Sequence, residues 1–162
     1  MSAAPDSLRP ARPEDHEAIR ALLHAAFPTR AEAGLVADLR ASGAMELELV
    51  MPWPAGPVGY LAFSRMVAPE GWLALAPVAV APVWAGKRLG TRMVTGAVRL
   101  MAIKGMTVVV LGSPTFYARA GFSQSRAEQL ETPYPKDFTL IARPGMDIPR
   151  KKLIYPKAFE GV

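Results

Sequence analysis

Cysteine is absent from this chain of 162 residues, and histidine occurs only twice. Without cysteine the chain has no disulfide framework, no thiolate metal site and no cysteine nucleophile. The two histidines, His16 and His24, belong to no cluster with metal-ligand spacing, so we predict that no metal is bound. A chain without cysteine also suits a reducing compartment, and we expect the protein to be cytoplasmic.

Long apolar runs are missing as well. No stretch approaches the roughly 18 consecutive apolar residues of a membrane span. The N-terminal segment also lacks the basic and then apolar pattern of a signal peptide. We therefore expect no membrane partner.

The net charge of +5 is compatible with an anionic small molecule, a nucleic acid or no charged partner at all. Nucleic-acid binding would need a basic stripe interleaved with exposed aromatic side chains. Here the basic residues are scattered, and Trp53, Trp72 and Trp84 lie far apart in the sequence. We predict no nucleic-acid partner.

The first half of the chain has the pattern of two helices followed by a β-hairpin. Apolar residues recur every three or four positions in the helices and alternate in the strands. The predicted elements are a strand at 8–10, a helix from Pro13 to Phe27, a second helix ending at Gly43, and strands at 45–51 and 58–67.

The second half contains a β-α-β unit. Residues 72–80 and 106–111 are almost continuously apolar, as expected of strands buried on both faces, and an amphipathic helix over 88–104 separates them. Such a crossover makes its two strands parallel. A short helix ending at Gly121 and strands near 138–142 and 153–155 complete the prediction: one α+β domain over residues 1–162, with a mixed, mostly antiparallel sheet.

One loop has the composition of an anion site. In PVWAGKRLGTRMV, residues 82–94, Gly86 and Gly90 flank Lys87 and Arg88 at the start of a helix, where free backbone N–H groups attract phosphate. The loop matches neither a Walker loop nor a GxGxxG motif. A solvated basic helix start is the alternative interpretation, and these residues alone leave both open.

The wider segment VAVAPVWAGKRLGTRMV resembles the acyl-coenzyme A signature of the GNAT N-acetyltransferase superfamily, with Val78, Val80, Pro82 and Gly90 in register. LGSPTFYARAGF resembles a second element of the family, an aromatic helix ending in Gly-Phe. With GYLAFS and RAEAGLVADLRASG, the chain is most similar to the YhbS-type bacterial predicted acetyltransferases. The resemblance covers roughly residues 8 to 122.

This resemblance implies a GNAT-like sheet with helices on both faces, and acetyl-coenzyme A as the cosubstrate. The acetyl group would pass from the thioester to a primary amine by direct attack. The cosubstrate would lie in a wedge between the strands that end at Val80 and Leu111, with a main-chain N–H near Val80 stabilising the oxyanion. The implied cofactor-binding residues are Val78, Ala79, Val80, Gly86, Lys87, Arg88, Leu89, Gly90 and Thr91.

Two positions of the loop depart from the family pattern. Ala85 stands where Gln or Arg is usual, and Arg88 stands where Gly is usual. A bulky residue disfavours positive φ, yet the Arg88 guanidinium can pair with a phosphate. Either coenzyme A binds in an adjusted loop, or the site is weakened.

Tyr117 is the implied general acid, which would protonate the departing thiolate of coenzyme A. A phenol with a pKa near 10 is a suitable donor to a strongly basic leaving group. The alternative is an amphipathic aromatic residue packed under the sheet with its hydroxyl satisfied.

No general base stands out among the carboxylates. Glu46 and Glu48 alternate with apolar residues on strand 45–51, and we predict that both face solvent. Glu32, in the family-like second helix, is a candidate for the border of the substrate cleft.

The remaining polar candidates have simpler explanations. His16 and His24 lack a predicted acidic partner, and Ser113 is not in a G-x-S-x-G elbow. The resemblance implies a small-molecule or peptide amine as the acceptor, and homodimers are common in the superfamily. The competing hypothesis is a degenerate relative that binds an acyl-coenzyme A, or nothing, without catalysis.

Overall fold

The computed structural model describes residue 5 and residues 7–162. This part of the chain contains six β-strands and four α-helices, joined by loops and short 3-10 helices. The strands are β1 (Arg9–Pro10), β2 (Met45–Met51), β3 (Gly59–Arg65), β4 (Leu73–Val80), β5 (Val108–Leu111) and β6 (Thr139–Ala142). The helices are α1 (His16–Ala26), α2 (Ala31–Ser42), α3 (Leu89–Ile103) and α4 (Pro114–Arg119). Most predicted bounds agree with these to within about two residues.

The strands form one mixed sheet in the order β1-β2-β3-β4-β5-β6. Every neighbouring pair is antiparallel except β4 and β5, which α3 connects as a crossover. The predicted α+β class and the single parallel β-α-β unit are therefore confirmed. The parallel pair lies inside the sheet, where both faces are covered.

Apolar side chains pack on both faces of the sheet. Tyr60 and Leu61 follow one another in β3, so their side chains point to opposite faces. Leu61 belongs to the cluster that contains Met93 of α3, whereas Tyr60 belongs to the cluster that contains Leu23 of α1. Helices therefore cover both faces, as predicted.

The helix ends follow from local chemistry. At the start of α1, Arg9 makes a bidentate salt bridge with Asp15 at 2.7 and 3.0 Å, and the backbone N–H of Arg12 donates to the same carboxylate. These hydrogen bonds hold the pKa of Asp15 well below its usual range. The C-terminal end of α2 is capped by Gly43, whose φ of +78° favours glycine.

The strand predicted at 153–155 does not form. Ile154 exchanges backbone hydrogen bonds with Ala68, and Lys152 makes a single bridge to Glu131. Pro69 follows Ala68 and Pro156 follows shortly after Ile154, and proline has no N–H to extend a ladder. Each contact therefore remains an isolated bridge.

The prediction that Glu48 faces solvent is wrong. Glu48 accepts hydrogen bonds from Arg40 of α2 at 2.7 and 3.1 Å and from the hydroxyl of Tyr60 at 2.7 Å, and only 12% of its side chain is exposed. Burial raises its pKa, but the donated hydrogen bonds outweigh this and hold the pKa below its ordinary value. Glu46, by contrast, is exposed and pairs with Arg65, as predicted.

Candidate active site

The strands β4 and β5 separate halfway along β4. They pair only from Leu73 to Leu75, opposite Val108 to Val110, while β4 continues to Val80. At the point of separation β4 contains a bulge, since Ala76 and Pro77 together lie opposite one residue of β3. Proline cannot donate to a neighbouring strand and is commonly found at bulges. A gap therefore opens beside the C-terminal half of β4, where the wedge was expected.

Backbone groups of β4 point into this gap. Ala81 donates to the carbonyl of Val58 at 2.8 Å, so positions 81 and 79 direct their polar groups toward β3. Hydrogen-bonded and non-hydrogen-bonded positions alternate in an antiparallel ladder. The N–H and C=O groups of Val78 and Val80 therefore point away from β3, toward the gap.

The loop after β4 forms a cavity of about 430 Å³ at the N-terminus of α3. Gly86 has a φ of +76°, and Arg88, the N-cap of α3, has a φ of +62°. Arg88 is the one non-glycine residue with positive φ in the described part of the chain. The backbone there keeps the conformation that a glycine would favour. The lining residues are Val78, Val80, Trp84, Ala85, Gly86, Arg88, Leu89, Gly90, Thr91, Phe116 and Tyr117.

Two of the nine expected cofactor residues do not line this cavity. The side chain of Ala79 is buried in the cluster beneath α1, on the other face of the sheet. Lys87 turns to Trp84 and lies with its Nζ 5.6 Å from the ring centroid. The structure brings the other seven together.

Tyr117 is fixed by the helix α4. Ser113 caps this helix, its Oγ accepting a hydrogen bond from the N–H of Phe116 at 3.3 Å, which gives Ser113 a structural role. The Tyr117 ring makes edge contacts with Phe116 and Phe122, with centroids 4.9 and 5.6 Å away. It also lies directly against Gly112, which has no side chain to obstruct it.

The Tyr117 hydroxyl has the properties of a proton donor. Burial raises its pKa, which keeps the phenol protonated at neutral pH. No hydrogen bond to this hydroxyl is made by the residues that the structure describes. The ring is packed as in the alternative interpretation, but no described residue satisfies the hydroxyl as that interpretation requires.

A second cavity of about 270 Å³ meets the first at Val78 and Tyr117, which line both. Glu32 lines it, as expected of a residue at the border of the cleft, and so does Phe27 at the end of α1. Apolar residues of β4 and β5 form its floor. The lining residues are Phe27, Glu32, Leu35, Ala74, Leu75, Ala76, Pro77, Val78, Val109, Leu111, Tyr117, Tyr134, Tyr155, Phe159 and Val162.

Three aromatic rings from the C-terminal segments form one wall of this second cavity. Tyr155 makes an edge contact with Tyr134 at 5.0 Å and a tilted contact with Phe159 at 5.3 Å. The hydroxyl of Tyr134 donates to the carbonyl of Phe159 at 3.3 Å. We call Tyr134, Tyr155 and Phe159 the aromatic wall.

The hydroxyl of Tyr155 is buried, and none of the described residues offers it a hydrogen bond of normal geometry. Burial and the adjacent Tyr134 raise the pKa of Tyr155 to about 12, while the side chain of Thr132 acts in the opposite sense. Tyr155 is therefore a neutral phenol whose buried hydroxyl lies near the side chain of Thr132 without a hydrogen bond of normal geometry.

Sequence reasoning missed the aromatic wall, although a signal was present. The pattern Tyr-Pro-Lys-x-Phe occurs twice, at 134–138 and at 155–159. Each copy leads into a short 3-10 helix, Lys136–Phe138 and Lys157–Gly161. The first copy contributes Tyr134 to the wall, and the second contributes both Tyr155 and Phe159.

The described residues offer no helix that is long and apolar enough to cross a membrane. They also contain no group of three or more histidine, aspartate or glutamate side chains that could hold a metal ion.

A sheet that splits between its fourth and fifth strands, with a helix N-terminus at the mouth of the split, is the architecture of an acetyltransferase fold. The chain belongs to the GNAT family of acetyltransferases, since the model of the Acetyltransferase (GNAT) family matches residues 16–122. The aromatic wall lies outside the matched range.

Relatives support the same assignment. The chain is 38% identical to the uncharacterized N-acetyltransferase YhbS of Escherichia coli K12 over 128 residues, or 76% of this chain and 77% of the relative. The crystal structure of E. coli YhbS in complex with CoA superposes with a TM-score of 0.85 and 31% identity, covering 99% of this chain and 94% of that one. The crystal structure of a GNAT family acetyltransferase from Brucella melitensis in complex with acetyl-CoA superposes with a TM-score of 0.79 and 28% identity. This match covers 94% of this chain and 97% of that one. The predicted family and fold are confirmed.

Proposed function

We propose that this protein is an acetyl-coenzyme A-dependent N-acetyltransferase that transfers an acetyl group to a primary amine by direct attack. The observation that carries the proposal is the junction of two cavities at Val78 and Tyr117. One cavity has a helix N-terminus and the cationic side chain of Arg88, and the other is mostly apolar, with Glu32 as the one charged side chain among its described lining residues. Two substrates of different chemistry would meet at this junction, next to a proton donor.

The first cavity would bind the cosubstrate. Residues 86–91 would hold the pyrophosphate with the free N–H groups at the start of α3 and the guanidinium of Arg88. The outward-pointing backbone groups of Val78 and Val80 would hydrogen-bond the pantetheine arm as an added strand would. The relatives crystallised with CoA and acetyl-CoA support this use of the cavity.

The chemistry then needs two contributions from the chain. As the neutral amine nitrogen attacks the thioester carbonyl, a backbone N–H near Val80 would stabilise the oxygen that becomes negative. As the carbon–sulfur bond breaks, the Tyr117 hydroxyl would give its proton to the departing thiolate. The nitrogen–carbon bond forms in the attack, the positively charged nitrogen then releases one proton to solvent, and the Tyr117 phenolate regains one from solvent. The products are the acetamide and the free thiol.

A module that binds acyl-coenzyme A without catalysis is the second candidate. The departures at Ala85 and Arg88 favour it, because they change the loop that would hold the pyrophosphate. This candidate retains the first cavity but requires no function of Tyr117.

Calorimetric titration with acetyl-coenzyme A and a thiol-release assay over a panel of amines test both candidates. The enzyme proposal predicts binding together with amine-dependent thiol release. Tyr117→Phe should lower turnover about 100-fold while changing cosubstrate affinity little, because a positioned general acid contributes about that much. Binding without thiol release would favour the module, and the absence of binding at high micromolar ligand would contradict both.

A further inference from the structure

The second cavity is small and mostly apolar. Its volume of about 270 Å³ is at or below the range of about 300 to 1,000 Å³ typical of sites for drug-sized ligands. An apolar cavity of about 150 Å³ can already accept a benzene molecule. The second cavity therefore has room for one aromatic ring or branched apolar group with a short arm.

The charged groups that line the second cavity also restrict which ligands it can accept. Glu32 contributes the only charged side chain among the described residues that line the cavity. Glu32 is the one anionic side chain among these residues and complements one ammonium group, so a polyamine would have further charges without partner side chains. None of the described residues around the cavity is a lysine or arginine, so an amino acid would bring a carboxylate with no cationic side chain to receive it.

The aromatic wall favours a cationic ligand with an apolar body. Ring faces and edges of Tyr134, Tyr155 and Phe159 offer contacts to another aromatic ring and to an ammonium group. Leu35 of α2 and Val109 of β5 add apolar surface, and both are buried. These residues bury the ligand body, and Glu32 stabilises its charge.

We propose that the acceptor is a small monoamine that carries a single aromatic or branched apolar group and no carboxylate. This inference rests on the proposed function and specifies its second substrate. The amine arrives as the ammonium ion, is held in the cavity by Glu32, and loses one proton to solvent before its neutral nitrogen attacks. The body of the amine packs between β4 and the aromatic wall.

The test is a panel of amines that differ in one property at a time. Phenethylamine fits the proposal, phenylalanine adds only a carboxylate to it, 1,4-diaminobutane replaces the ring with a second ammonium group, and a lysine-containing peptide tests a macromolecular acceptor. We expect kcat/KM for phenethylamine to exceed each of the others by at least about tenfold. Equal values across the panel, or a preference for any other member, would overturn the proposal.

Variants separate the role of Glu32 from a general effect of charge. Glu32→Gln should raise KM for phenethylamine about tenfold with a smaller change in kcat, because it removes a charge-assisted contact. Asp38→Asn is the matched control, since Asp38 is exposed on the same helix and does not line the cavity. Equal effects of the two substitutions would overturn the assignment of Glu32.

A binding measurement distinguishes failure of this inference from failure of the proposed function. Saturation-transfer NMR with phenethylamine alone needs neither acetyl-coenzyme A nor turnover. Binding that is weakened by Glu32→Gln and kept by Asp38→Asn would support the monoamine site even in a protein that does not catalyse. Thiol release with other amines but no phenethylamine binding would retain the enzyme and overturn the monoamine.

Discussion

Gly112 and Tyr117 lie so close together that a Cβ atom at position 112 would be 2.5 Å from Cε2 of the Tyr117 ring. Real side chains do not approach so closely, so any other residue at 112 would displace the ring. The end of β5 thereby determines where the phenol of α4 lies, across a turn of only a few residues.

Gly112→Ala should therefore impair transfer more than folding. The ring can rotate away from the new methyl group, so we expect a loss of about 1 kcal/mol or less in the free energy of unfolding. A displacement of about 1 Å at a reacting group can cost about 100-fold in rate, and thiol release should fall by that order. Gly34→Ala is the control, because its Cβ meets nothing within 4 Å and alanine favours the helix. Unchanged thiol release in Gly112→Ala would remove Tyr117 from the mechanism.

Arg88→Gly tests the strained residue of the loop. The left-handed backbone at Arg88 costs about 1 kcal/mol for a residue with a side chain and nothing for glycine. We expect the variant to unfold at an equal or higher urea concentration, yet to bind acetyl-coenzyme A about tenfold more weakly at low salt. Arg99→Gln, on the exposed side of α3, should change neither property. An affinity that rises in Arg88→Gly would contradict the role of the guanidinium.

Glu48 should determine part of the acid sensitivity of the fold. Its pKa is lower in the folded chain than the ordinary value of about 4.3, so the unfolded chain binds more protons near that pH. The stability that Glu48 contributes is therefore present above about pH 4.3 and lost as the pH falls.

Urea unfolding at about pH 7 and about pH 3.5 measures this contribution. Glu48→Gln should lose about 2 kcal/mol at the higher pH and much less at the lower one. Glu46→Gln, two residues away on the same strand, should lose less than about 0.5 kcal/mol, because its pair with Arg65 is exposed. Similar losses in both variants would contradict the network described around Glu48.

The two tyrosines of the aromatic wall should respond in opposite ways to loss of their hydroxyls. Tyr155→Phe removes a buried hydroxyl to which no described residue makes a hydrogen bond of normal geometry, so the free energy of unfolding should stay constant or rise by up to about 1 kcal/mol. Tyr134→Phe removes the hydrogen bond to Phe159 and should cost about 1 kcal/mol. Thermal denaturation of the two variants side by side measures this contrast, and a larger loss in Tyr155→Phe would contradict it.

Local patterns were sufficient for most of the fold and for half of the site. The apolar runs of β4 and β5 and the helix between them predicted the parallel crossover, because handedness and connectivity leave few alternatives. Most residues of the first cavity could be named in advance because they come from one short segment, between Val78 and Thr91. Residues that are close in sequence within such a segment are also close in the folded structure.

The positions of Glu48 and Ala79 show where local patterns fail. Alternation along a strand separates two faces but does not say which face a helix covers. The packing of α1 and α2 on the sheet encloses Glu48 and places the Ala79 side chain opposite the gap. Both outcomes depend on contacts between segments that are distant in sequence.

By itself the sequence determined the class of fold, the family and the loop that starts α3, because periodicity, glycine positions and motif order are properties of neighbouring residues. Only the tertiary structure decided what lies beyond Tyr117. The second cavity combines Glu32 of α2, the separated ends of β4 and β5, and the aromatic wall from residues 134–159. The spacing of residues along the chain does not predict this cavity. Its residues come together because segments more than a hundred residues apart bury apolar surface against each other.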